Sequence, residues 1–210
     1  MTVIEREREI AAEAVSLLPL CVDLDGTLTY ADTLMESIVA HRSSAKLALM
    51  LLALPFIGRA AFKDRVAANS RLDVTLLPYN QPLLRYLESQ KRAGRHLAMV
   101  TAANLATARA VADHLGLFDE IIASDRTRNL KGAAKGAALH QRFGHRGFAY
   151  AGNDASDIAV WRTAGAAILV NTTPATARRA QNILPVEASF PRRPAVHATL
   201  LRAMRPHQWV

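Results

Sequence analysis

Apolar and polar positions fall into a repeating rhythm along this chain. Short apolar runs at residues 17–22, 96–101, 120–124, 147–151 and 166–170 are each followed by a small or polar residue. Runs of that length, bounded by turn signals, read as buried strands. Segments of helical spacing lie between them, at 82–93, 104–115, 132–143, 154–164 and 174–182. Strand and helix alternating through short turns predict an α/β fold with a parallel sheet covered on both faces. Ahead of the first strand, residues 5–16 read as a helix with Ile10 and Ala14 on its apolar side. Between the first and second strands the rhythm breaks for a helical insertion from about 31 to 77. Its middle, 47–57, is strongly apolar but too short to span a membrane, and it carries Pro55. That stretch reads either as a buried helix or as a greasy surface that meets lipid.

Polar groups gather where the apolar runs end. The first run closes in Val22-Asp23-Leu24-Asp25-Gly26-Thr27-Leu28. The carboxyl edge of an open α/β sheet is where ligands bind. Two aspartates one residue apart attract a divalent cation there and repel each other. Gly26 allows the backbone to leave the strand without a Cβ clash. The run at 96–101 ends at Thr101, just before a helical pattern. Its hydroxyl and nearby backbone N–H groups, such as that of Ala102, would make a phosphate cradle. Lys131 opens a helix start, and the run at 147–151 leads into Gly152-Asn153-Asp154-Ala155-Ser156-Asp157.

Taken together, these residues resemble the haloacid dehalogenase superfamily of phosphohydrolases, from about Pro19 to Asn171. The resemblance implies a three-layer α/β/α Rossmann-like fold with a parallel sheet and a small helical cap inserted after the first strand. It implies that Asp23 is the nucleophile, Asp25 the general acid/base, Thr101 the phosphate-binding hydroxyl and Lys131 the family lysine. Gly26, Thr27 and Ala102 would join Thr101 and Lys131 around the phosphate. Mg²⁺ is the implied cofactor, with Asp23, Asp25, Asn153, Asp154 and Asp157 as its ligand set. One position departs from the family: the residue after the glycine of the last motif is usually a metal-binding Asp, and here it is Asn153. An amide oxygen can coordinate but brings no charge. Asp154 could turn toward the metal instead, or cap the following helix.

The chemistry also follows without the family. A carboxylate nucleophile splits the displacement at a phosphate monoester into two steps through an acyl phosphate. A second carboxyl protonates the leaving oxygen and then activates water.

Composition sharpens a few points. A chain of 210 residues with 50% hydrophobic content can bury a substantial core, as one domain with a small insertion. Its one cysteine, Cys21, falls in the first strand and reads as a small buried hydrophobe; no intrachain disulfide is possible. Net charge is +8 and the isoelectric point about 10.2. Arg192, Arg193, Arg202 and Arg205 supply half of that excess, and no acid follows Glu187. A nucleic-acid partner is not expected, since basic and aromatic residues do not interleave. The charged start of the chain argues against a signal peptide, so a cytoplasmic setting is expected.

Residues 200–210 resemble the segment before the first membrane helix of UbiA-type polyprenyltransferases, some of which carry a phosphatase-like domain at the N-terminus. The arginines and Trp209 suit an approach to the cytoplasmic face of a membrane. The expected organisation is a core of 1–30 and 78–190, a cap of 31–77, and a basic linker of 191–210. The expected function is an Mg²⁺-dependent phosphatase acting on a small phosphorylated metabolite or a phosphorylated prenyl-linked sugar. The alternative is a weakly active or inactive accessory domain that regulates or positions a membrane prenyltransferase.

Overall fold

A computed structural model describes residues 18–33, 72–124 and 129–191. The expected helix at 5–16, most of the insertion and the basic segment beyond Pro191 lie outside the described residues. Six strands form one sheet: β1 (Leu20–Val22), β2 (Leu97–Asn104), β3 (Glu120–Ser124), β4 (Ala149–Gly152), β5 (Ala166–Val170) and β6 (Val186–Phe190). Their order is β3-β2-β1-β4-β5-β6, and every pair is parallel. Among the described residues the helices are α1 (Gln81–Arg92), α2 (Leu105–Leu115), α3 (Ala133–Phe143), α4 (Ile158–Trp161) and α5 (Pro174–Gln181).

Period-two alternation along the strands sorts the core into two layers. Leu20, Val22, Leu97, Met99, Ala149 and Ile168 pack with Leu83 and Leu87 of α1 and Val111 of α2. Cys21, Ala98, Val100, Tyr150 and Leu169 point the other way, toward Leu139 of α3, Trp161 of α4 and Ala180 of α5. The sheet is thus apolar on both faces, as parallel sheets are. This is the three-layer arrangement expected from the sequence.

Two elements differ from expectation. The helix expected over 154–164 is a 3₁₀ turn, Ala155–Asp157, followed by the short α4. The Asp154 side chain caps that turn, so the chain tightens before it becomes helical. Strand β6 was not anticipated, because its pattern is only half apolar. An ion pair secures this edge strand: the Arg95 guanidinium contacts both Glu187 oxygens, and it also donates through Nε to the Leu18 carbonyl at 2.7 Å. The Tyr86 hydroxyl donates to the same carboxylate.

Topology decides where a site can form. From β1 the chain moves outward through β2 to β3, then crosses back to β4 on the other side of β1. Connections leaving β1 and β4 therefore diverge, and a crevice opens at their carboxyl ends.

Candidate active site

Asp23 directly follows β1 and continues its ladder, its N–H donating to the Ala151 carbonyl at 3.0 Å. The chain then winds tightly: the N–H groups of Leu28 and Thr29 donate to the carbonyls of Asp23 and Leu24. Gly26 turns this loop at φ 75°, and a Cβ there would collide with the Asn153 side chain. A cleft of about 350 Å³ opens over the loop, lined among others by Asp23, Asp25, Gly26, Ala102, Lys131 and Asn153.

The lysine that meets Asp23 is Lys135. Its Nζ donates to Asp23 Oδ1 at 2.7 Å and to the Tyr150 hydroxyl at 3.0 Å. Tyr150 in turn donates to Asp157 Oδ1 at 2.8 Å. All four side chains are buried; Asp23 is 8% exposed and Lys135 4%. Helical geometry explains the placement. Lys135 lies one turn before Leu139 on the sheet-facing stripe of α3. Lys131 precedes the helix and is exposed, though it lines the cleft. A buried lysine needs a carboxylate partner, and this one has it.

Burial pushes the Asp23 carboxyl up to about 7; Lys135 works against that shift, and Asp157 and Asp25 add to it. Despite burial, the surrounding carboxylates, Asp23 foremost, hold the Lys135 ammonium above its ordinary range. Burial, and then Asp157, raise the Tyr150 phenol far above its usual range, so it stays protonated and able to donate.

The remaining expected site residues take distinct places. Asp25 Oδ1 accepts the Thr33 N–H at 2.8 Å, and the residue lines the cleft. Thr101 is fully buried within β2; its hydroxyl accepts the Ala103 N–H at 2.9 Å, and the cleft wall here is Ala102, Ala103 and Asn104. Thr27 is fully buried, and its Oγ1 has no hydrogen-bond partner among the described residues. Asp154 Oδ1 accepts from both the N–H and the hydroxyl of Ser156. Both Asp157 oxygens face inward: besides Tyr150, the N–H groups of Asn153 and Asp154 donate to Oδ2 at 2.8 and 3.1 Å. Asp157 therefore holds the loop that carries Asn153. Gly152 makes room for it, since a Cβ there would lie 2.7 Å from the Asp157 carboxylate.

Sequence reasoning missed three residues: Lys135, Tyr150 and Asn171. Asn171 directly follows β5 in a left-handed conformation, φ 53°, and its Nδ2 donates to the Gly26 carbonyl at 2.8 Å. A lysine on the apolar stripe of a predicted helix was the available signal for Lys135. Asn171 offered only an asparagine at a strand end, where many turns begin.

Among the described residues, no three His, Cys, Asp or Glu side chains are grouped as a metal cage. The oxygen donors on the cleft wall include the carboxylates of Asp23, Asp25, Asp32 and Asp154 and the amide of Asn153. Mg²⁺ usually takes one or two carboxylates, keeps several waters and shares the substrate's phosphate. The donors present suit that habit; they do not suit a cation held by protein alone.

Comparison with known proteins follows the same lines. A family model described as haloacid dehalogenase-like hydrolase matches residues 20–162. An uncharacterized protein, y4nM, from Sinorhizobium fredii (strain NBRC 101917 / NGR234) is 37% identical over 154 residues. That match covers 73% of this chain but only 30% of the relative, so the chain spans under a third of its length. Among solved structures, a protein of unknown function from Bordetella pertussis Tohama I aligns with a TM-score of 0.61 at 16% identity, over 80% of this chain and 96% of that one. A substrate-bound phosphoserine phosphatase complex aligns with a TM-score of 0.57 at 14% identity, over 88% and 97%. A phospho-aspartyl intermediate analogue of phosphoserine phosphatase gives 0.56 at 14%, over 88% and 98%. At such identities the structural likeness speaks for the fold alone. With a family model matched across most of its sheet and through both aspartate-bearing loops, the chain belongs to the haloacid dehalogenase-like hydrolases.

Proposed function

We propose that this protein is an Mg²⁺-dependent phosphatase that works through an aspartyl-phosphate on Asp23. The observation that carries the reading is the buried pair of Asp23 and Lys135 at the switch point of the sheet. Asp23 would attack phosphorus as a carboxylate, forming an acyl phosphate and releasing an alcohol. Asp25 would protonate the leaving oxygen, then take a proton from the water that hydrolyses the intermediate. Lys135 would hold the nucleophile and the phosphoryl oxygens, while Lys131 and the N–H groups near Gly26 and Ala102 complete the cradle. Asp23, the Asp25 carbonyl and Asn153 would hold the Mg²⁺, which supplies positive charge against the repulsion between carboxylate and phosphate.

The cleft lining includes Asp32, Thr33, Asn104 and Thr107, which suits a small polar phosphorylated metabolite. A phosphorylated prenyl-linked sugar is the second substrate class; it rests on residues 200–210 and the apolar middle of the insertion. Both lie outside the described residues, and the link to a membrane prenyltransferase rests on the same segment. No helix among the described residues is long and apolar enough to cross a membrane. Asn153, uncharged where a carboxylate is usual in the family, favours slow turnover and keeps the accessory-domain reading in view. A panel of phosphorylated metabolites and prenyl phosphates, assayed with and without Mg²⁺, tests the proposal. Metal-dependent phosphate release, absent in Asp23→Asn, is the expected result; no release from any member contradicts it.

A further inference from the structure

The proposed chemistry leaves Tyr150 unused, yet this side chain is fully buried beneath the nucleophile. Its hydroxyl accepts from Lys135 at 3.0 Å and donates to Asp157 at 2.8 Å. The direction of both bonds is forced, because an ammonium only donates and a carboxylate only accepts. The phenol ring is also set against the ammonium, whose Nζ lies 5.6 Å from the ring centroid. Lys135 thus faces two buried carboxylates, one touched directly and one reached through the hydroxyl.

From this arrangement we infer that Tyr150 is a positioning residue: its hydroxyl is a spacer that keeps Lys135 on Asp23 and off Asp157. Opposite charges in a buried, low-dielectric setting attract strongly, and an unpaired Asp157 oxygen would draw the ammonium to itself. With the hydroxyl in place, Asp157 Oδ1 is satisfied by a neutral donor. Its Oδ2 stays with the N–H groups of Asn153 and Asp154. One phenol therefore ties the aim of Lys135 to the shape of the loop that carries Asn153. The inference rests on the phosphatase reading for its catalytic consequence, but not for its geometry.

Tyr150→Phe removes the hydroxyl and keeps the ring. In an otherwise active protein, kcat should fall roughly 10–100-fold, the usual range for losing a group that orients a ligand from behind. KM should change less, and the loss should persist far below the unfolding midpoint, where a merely structural defect would leave kcat unchanged. A crystal structure of the variant should find Lys135 Nζ bonded directly to Asp157. An active wild type with an equally active Tyr150→Phe overturns the inference while leaving the phosphatase reading standing. A wild type inactive on every phosphate ester defeats that reading, and the variant's structure then decides the spacer question alone. If the variant does not fold, a crystal structure of the metal-free wild type decides it: Lys135 found directly on Asp157 overturns the proposal, and Lys135 shared by Asp23 and Tyr150 supports it.

Discussion

Lys135 Nζ and Asp23 Oδ1 stand 2.7 Å apart although 112 residues separate them in the chain. The contact joins the carboxyl end of β1 to the first turn of α3. It makes Lys135, rather than the exposed Lys131, the cation that governs Asp23. Lys135→Met should therefore reduce kcat far more than Lys131→Met, which should act mainly on KM. Steady-state kinetics of the two variants would check this; equal losses would mean that Lys131 reaches over the cleft to the phosphate.

Burial and neighbouring carboxylates raise the folded-state pKa of Asp23 to about 7, against about 3.9 for an unperturbed aspartate. Between about pH 4 and pH 7 the native state holds a proton that the unfolded chain has released. Stability contributed by this site is therefore present below that window and declines as pH rises through it. Asp23→Asn, which cannot ionise, should gain in unfolding midpoint relative to wild type from pH 5 to pH 8 in chelator. A difference that is flat with pH would show that Asp23 is ionised throughout.

Asn153 brings an uncharged amide to the cleft wall, with its Nδ2 packed closest over Gly26. Asn153→Asp adds a charge where a hard cation would sit, so Mg²⁺ binding should tighten and activity at low metal should rise. Calorimetric titration measures it. Unchanged or weaker binding would remove Asn153 from the cation's neighbourhood and leave Asp154, today engaged with Ser156, as the residue to test.

The sheet was legible because its strands are apolar on both faces and end in glycine, threonine or aspartate. Asp23, Asp25 and the loop after β4 followed from those endings. Lys135 was missed because a charge on a helix reads as solvated until a facing carboxylate is known. Tyr150 was missed because a tyrosine inside an apolar strand looks like packing. Thr101 was legible as a residue near the site but not in its orientation. The bulge between Thr101 and Asn104 turns its hydroxyl to the Ala103 N–H and lets β2 run on to Asn104. Strand β6 escaped notice since its place depends on a distant arginine.

That arginine gives a stability prediction. Arg95 is 2% exposed at its side chain and pairs with Glu187, tying β6 to the segment that leads into β1 through the Leu18 carbonyl. Removing one member of a buried pair typically costs about 3–5 kcal/mol. Arg95→Met should lower the unfolding free energy by that order, whereas Arg142→Met, which breaks an exposed pair with Glu120, should change it little. Urea unfolding of both variants distinguishes them, and similar small losses would show that the edge strand is held by packing alone.

The central claim is that Asp23 carries the phosphoryl group. The direct measurement is mass spectrometry of the protein after acid quench from a phosphoryl donor and Mg²⁺, with peptide mapping of the modified site. A phosphoryl group on Asp23, absent in Asp23→Asn and without Mg²⁺, is the predicted result. Turnover of the donor by an Asp23→Asn protein, or a phosphoryl group mapped to another residue, would contradict the account.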